Sequence, residues 1–104
     1  MTIQTFSANT TVGTAYTSTG ATAVTFMSFC NYANVAITAN VYVVPSGNTV
    51  GNTTVILQNL PLTPGDTYQL YAGAEKLLLN TGDTIRVQAS TANALNVVTS
   101  YTTI

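Results

Sequence analysis

Thr84-Ile85-Arg86-Val87-Gln88-Ala89-Ser90 is the stretch on which the reading of this chain turns. Ile85, Val87 and Ala89 fall on one side of an extended backbone and Thr84, Arg86, Gln88 and Ser90 on the other. A period of two is what a strand with one buried face produces. The same alternation recurs outward in both directions. Upstream, Ile37, Ala39, Val41 and Val43 oppose Thr38, Asn40 and Tyr42 until Pro45-Ser46-Gly47-Asn48 stops the strand. Downstream, Leu95, Val97, Thr99 and Tyr101 share a face. In Glu75 to Leu79, Leu77 and Leu79 oppose Lys76 and Leu78, and in Ala21 to Phe29 the set Ala23, Thr25, Met27, Phe29 alternates with Thr22, Val24, Phe26, Ser28. Bulk on both faces of that last segment predicts a central strand.

Turn chemistry separates these runs. Pro64-Gly65-Asp66 and Asn80-Thr81-Gly82-Asp83 supply a glycine free to take positive φ beside an Asp that accepts backbone N–H bonds. Gly-Asp-Thr therefore occurs twice, at residues 65–67 and 82–84, and is read as one turn used two times. No segment shows a 3.6-residue period with caps, although Ala72 to Leu79 has the residues for one helical turn. Short strands at intervals of about 8–12 residues predict an all-β fold, a seven- or eight-stranded antiparallel β-sandwich of immunoglobulin-like or jelly-roll topology. The Cys pair and Trp of a true immunoglobulin domain are absent.

With 104 residues and 46% hydrophobic content the chain fits a single domain, 1–104, in which residues 1–20 are read as an N-terminal arm or edge strand. Only Asp66, Glu75, Lys76, Asp83 and Arg86 carry charge at neutral pH, so charged side chains make up 5% of the chain where about a quarter is usual. The surface must then be wetted by Thr, Asn, Ser and Gln, and a net charge of −1 offers little repulsion against association. Two cations cannot neutralise the several phosphates that nucleic-acid binding uses. No apolar run is long enough for a membrane span, and Met1-Thr2-Ile3-Gln4 lacks the basic start of a signal peptide, so cytoplasmic synthesis is expected.

Catalytic equipment is sparse in the same way. No His is present to serve as a general base, and a base is what a Ser or Cys30 nucleophile would need. Cys30 is expected to be a small buried hydrophobe. Of the three carboxylates, Asp66 and Asp83 sit in turns, and turn capping accounts for both without a glycosidase-like acid/base pair. Neither a cofactor nor a metal is expected. The best candidates for contact residues are the six tyrosines, Tyr16, Tyr32, Tyr42, Tyr68, Tyr71 and Tyr101, because a Tyr ring buries area while its hydroxyl stays wet. The N-terminal segment and the loop Pro45 to Asn52 join them. The core is expected to hold Val41, Val43, Leu77, Leu79, Ile85, Val87 and Val97 on one continuous face.

Three stretches carry a resemblance: Val41-Tyr42-Val43-Val44-Pro45-Ser46-Gly47, Leu60-Pro61-Leu62-Thr63-Pro64-Gly65-Asp66-Thr67, and Leu77 to Ser90 followed by Val97-Val98-Thr99-Ser100-Tyr101. Together they resemble small virion-associated structural proteins of tailed bacteriophages. A strand there ends in a Val-Pro-Ser-Gly-like turn, and a leucine-rich strand, Gly-Asp, isoleucine strand and Ala-Ser unit leads to a last strand with an aromatic residue. The likeness spans about two-thirds of the chain and leaves out Met1 to Gly20. It implies a non-enzymatic, multicopy component of a virion assembled in the host cytoplasm: a capsid decoration or cement protein, or a neck or tail part. Its partners would be itself and other virion proteins, with a carbohydrate-binding module for host attachment as a different class of function.

Overall fold

A computed structural model describes residues 2–70 and 76–104. These form nine β-strands and no helix: β1 (Thr2–Ala8), β2 (Gly13–Thr17), β3 (Thr22–Asn31), β4 (Ile37–Val44), β5 (Val55–Leu62), β6 (Thr67–Leu70), β7 (Leu77–Leu79), β8 (Thr84–Ala89) and β9 (Leu95–Thr103). All pairing is antiparallel. One sheet runs β1-β9-β3 and ends in β6 and β7, both of which pair with β3; the other runs β2-β8-β4-β5. The expected seven or eight strands are thus nine. The difference lies in one lane, because β6 pairs with Met27 to Cys30 and β7 with Thr22 to Val24, two short strands in file along the same edge of β3.

Pairs form from the outside of the chain inward. β1 meets β9, β2 meets β8, β3 meets β6 and β7, and β4 meets β5. Thr2 and Tyr101 are register partners, so the two ends of the described chain lie side by side. Residues 1–20, expected as an arm or an edge strand, supply an edge strand to each sheet.

The core lies between the sheets and is a single cluster. Val24, Met27, Phe29, Leu95 and Val97 from one sheet face Val41, Ile85 and Val87 from the other, all fully buried. Each such side chain contributes about 1.5–3 kcal/mol by leaving water. Of the seven expected core residues, Val41, Leu79, Ile85, Val87 and Val97 are buried, while Val43 and Leu77 are half-buried against the cluster. They do not share one face as expected. Val41, Val43, Ile85 and Val87 belong to one sheet and Leu77, Leu79 and Val97 to the other, so the continuous surface is the seam between two facing sheets.

Irregularities explain where simple alternation fails. In β3 the register against β9 shifts between Val24 and Phe26, so the inward side changes from Val24 to Met27 and neither alternating set runs through. Thr25 sits at the bulge and its hydroxyl donates to the Ser100 carbonyl at 3.2 Å. β5 carries two shifts against β4, and Asn59, at φ 53°, is held there by its N–H bonding the Asn40 side chain at 2.7 Å. Cys30, expected to be buried, is half-buried, because it lies on the face of β3 that points away from the core. The suggested helical turn over Ala72 to Leu79 falls partly outside the described residues, and Leu77–Leu79 is strand.

Candidate interaction surfaces

Connections gather at the two ends of the sandwich. One end holds the β3–β4, β5–β6 and β8–β9 loops, and Asn31 at the end of β3 ties the first two together. Its side chain is fully buried, with Nδ2 donating to the carbonyls of Val35 at 2.8 Å and Leu62 at 3.1 Å and Oδ1 accepting from the Ala33 N–H at 3.0 Å. Its backbone N–H donates to the Asp66 carbonyl and its own carbonyl accepts from Gly65. Tyr32 follows at 54% exposure, its N–H bonded to the Ala94 carbonyl.

The opposite end holds the β2–β3, β4–β5 and β7–β8 connections. Ser18 and Asp83 join there through backbone bonds, and the Asp83 carboxylate accepts from the Asn80 and Ser46 N–H groups, both at 2.9 Å. This fixes the start of the Pro45 to Asn52 loop against the β7–β8 turn. Gly82 is required twice over: its φ is +88°, and a Cβ would stand 2.7 Å from the Ser46 hydroxyl. Asp66 repeats the arrangement, accepting from the Thr63 N–H at 3.2 Å and the Thr63 hydroxyl at 2.6 Å beside Gly65 at φ +84°. The Gly-Asp-Thr echo is therefore one turn used at both ends. The ten residues of β3 separate the two aspartates by roughly 30 Å. A carboxylate pair for glycoside chemistry stands within about 10 Å. Among the described residues no group of three or more His, Cys, Asp or Glu side chains could hold a metal ion.

The tyrosines do not converge on one site. Tyr16 is buried and its ring packs on Tyr101, with centroids 4.4 Å apart and planes at 41°, so it serves the interior rather than a contact surface. Tyr101 is half-buried in that pair. Tyr42 is half-buried on the outward side of its sheet, in register with Arg86 on β8 and Val55 on β5. Tyr32 and Tyr68, the latter 37% exposed and opposite Phe29, offer rings to solvent near the Asn31 end. Tyr71 lies outside the described residues. A shallow groove of about 350 Å³ opens beside the same end, lined by Ile37, Pro61 and Leu62 with Thr38, Thr63 and Ser90. The Ser90 hydroxyl is already engaged by the Thr38 N–H at 2.9 Å.

Sequence reasoning did not single out two features that shape the surface. Among the described residues, the outward face of the β1-β9-β3-β6 sheet carries Ile3, Thr5, Ser7, Asn96, Val98, Ser100, Phe26, Ser28, Cys30 and Gln69, and no Asp, Glu, Lys or Arg. The other sheet presents Arg86 on its outward side. At the edge where β1 and β2 come together, the Gln4 side chain donates to the Ala15 carbonyl at 3.0 Å, and the Phe6 ring lies over Gly13, where a Cβ would approach it to 2.6 Å. Ala15 is the residue skipped where β2 shifts register against β8, so Gln4 satisfies a carbonyl beside the bulge. No family model matches the chain, nor does any curated protein or solved structure.

Proposed function

We propose that this chain is a non-enzymatic structural protein of a virus particle, present in many copies and serving as a capsid decoration or cement protein. The observation that carries the reading is the nested pairing, β1 with β9, β2 with β8, β3 with the β6/β7 lane and β4 with β5. With β6 and β7 counted as one lane, this is the eight-lane order of a jelly roll, an architecture used by viral capsid and lectin domains. A fold alone does not assign a function. The surface adds to it: among the described residues one broad sheet face carries no charged side chain, and charge is what the centres of protein interfaces lack. Partners in this reading are further copies of the chain and the capsid proteins beneath them, with assembly in the host cytoplasm.

Counting copies per particle by quantitative mass spectrometry tests the assignment. Hundreds of copies support a place on the capsid lattice, whereas 6 or 12 place the protein at the neck or tail, and absence from particles defeats the reading. A carbohydrate-binding role is the alternative, favoured by the exposed rings of Tyr32 and Tyr68 near one end of the sandwich. Glycan-array binding that is lost in Tyr32→Ala or Tyr68→Ala would establish it.

A further inference from the structure

A sheet edge is a row of unpaired N–H and C=O groups, and proteins usually blunt it with short strands, bulges, Pro or charge. The edges here differ sharply in this respect. β2 has five residues and a bulge; β5 carries two register shifts, Pro61 and the positive-φ Asn59; β6 and β7 have four and three residues. β1 has none of these devices. Its seven residues, Thr2-Ile3-Gln4-Thr5-Phe6-Ser7-Ala8, pair with β9 in unbroken register, and none is Pro or ionisable. Thr2 to Thr5 and Ser7 are exposed, with Ile3 at 67%. Alternate residues of an antiparallel strand turn their backbone groups away from the partner, so β1 presents a free ladder opposite β9.

We infer that β1 pairs with β1 of a second copy of this chain, antiparallel about a two-fold axis at Thr5, joining two sheets into one. The strand is complementary to itself in this register. Thr5 meets Thr5 of the second copy, Ile3 meets Ser7, Gln4 meets Phe6 and Thr2 meets Ala8, so no like charges are opposed and Thr faces Thr, a favourable cross-strand pair. A one-residue slip is disfavoured because it would set the outward-facing Ile3, Thr5 and Ser7 against the inward-facing Gln4, Phe6 and Ala8 of the second copy, so the two sheets could not continue one another face to face. Seven paired residues bury less than the roughly 1,200 Å² of a standard stable interface, so the isolated dimer is weak and is reinforced by copy number in a particle. The inference rests on the multicopy reading above and specifies the contact between copies.

Single cysteines introduced into a Cys30→Ser background, oxidised at about 100 µM, a concentration suited to a weak contact, test the register. Thr5→Cys is expected to give a covalent dimer, since opposed residues of an antiparallel pair lie about 4.5–5.5 Å apart at Cα, within disulfide range. Ile3→Cys and Ser7→Cys are each expected to stay monomeric alone and to cross-link when mixed. Thr5→Lys, which opposes two ammonium groups, is expected to weaken the dimer at least tenfold by light scattering with an unchanged melting temperature. The inference is overturned if Thr5→Cys fails to cross-link, or if Ile3→Cys alone links as well as Thr5→Cys. A chain that is abundant on particles but whose Thr5→Cys form does not cross-link even there removes the β1 contact and leaves the decoration role. A register-specific dimer that never associates with particles does the reverse.

Discussion

Asn31 shows how much one residue can hold. It is fully buried at the end of β3, and its amide joins the β3–β4 loop to the end of β5 by donating to Val35 and Leu62 and accepting from Ala33. Three partners satisfied by one side chain leave three orphans when it is removed, and each buried unpaired group costs about 1–3 kcal/mol. Asn31→Leu is therefore expected to lower stability by about 3 kcal/mol or more in urea unfolding. Asn31→Asp should be comparably damaging, because a carboxylate cannot donate to the two carbonyls. A variant with wild-type stability would mean that the loops find other partners. Nothing in the sequence pointed here: Asn31 precedes Tyr32-Ala33-Asn34 and reads as an ordinary turn residue. The aspartates were legible because Gly-Asp-Thr names its own turn locally, whereas the bonds of Asn31 reach a residue 31 positions away.

At the scale of the strand, what could be read was which side of a segment faces inward. In β8 from Ile85 on and in β9 through Thr99 burial alternates strictly, and the buried set Ile85, Val87, Ala89, Leu95, Val97 and Thr99 is the one their sequence announces, whereas Thr84, read as outward, is buried too. Periodicity reports a face and is silent about neighbours. It therefore missed that the apolar faces belong to two sheets, that β6 and β7 share a lane, and that the phase of β3 changes at its bulge. The edge character of β1 was only partly visible, since Phe6 and Ala8 alone of its residues turn substantially toward the core. Val87→Asp tests the strand assignment. Val87 is fully buried and pairs with Val41 in the sheet, so a carboxylate there would stand among the apolar side chains of the core. The desolvation of an unpaired charge costs several kcal/mol against a total stability of about 5–15 kcal/mol, so this variant is expected to be unfolded by circular dichroism at 25 °C. Arg86→Asp, one position away on the outward side, is expected to fold.

For the molecule as a whole, nested pairing means that the outermost strands close last in sequence terms. β1 reaches β9 only after nearly the entire chain has been spanned, so slow folding, in the millisecond-to-second range of non-local β topologies, goes with this architecture. The side-by-side placement of Thr2 and Tyr101 has a mechanical side as well. A load applied between residues 2 and 103 pulls on the same end of the β1·β9 pair and peels its bonds one after another, like a zipper. A load applied between residue 2 and Thr91, beyond the far end of β9, strains the whole ladder in shear. Single-molecule stretching is expected to need several-fold less force in the first geometry than in the second. Equal forces would show that the β1·β9 pair is not the first to give. A protein of this build withstands tension delivered along its strands and yields to tension that draws Thr2 and Thr103 apart.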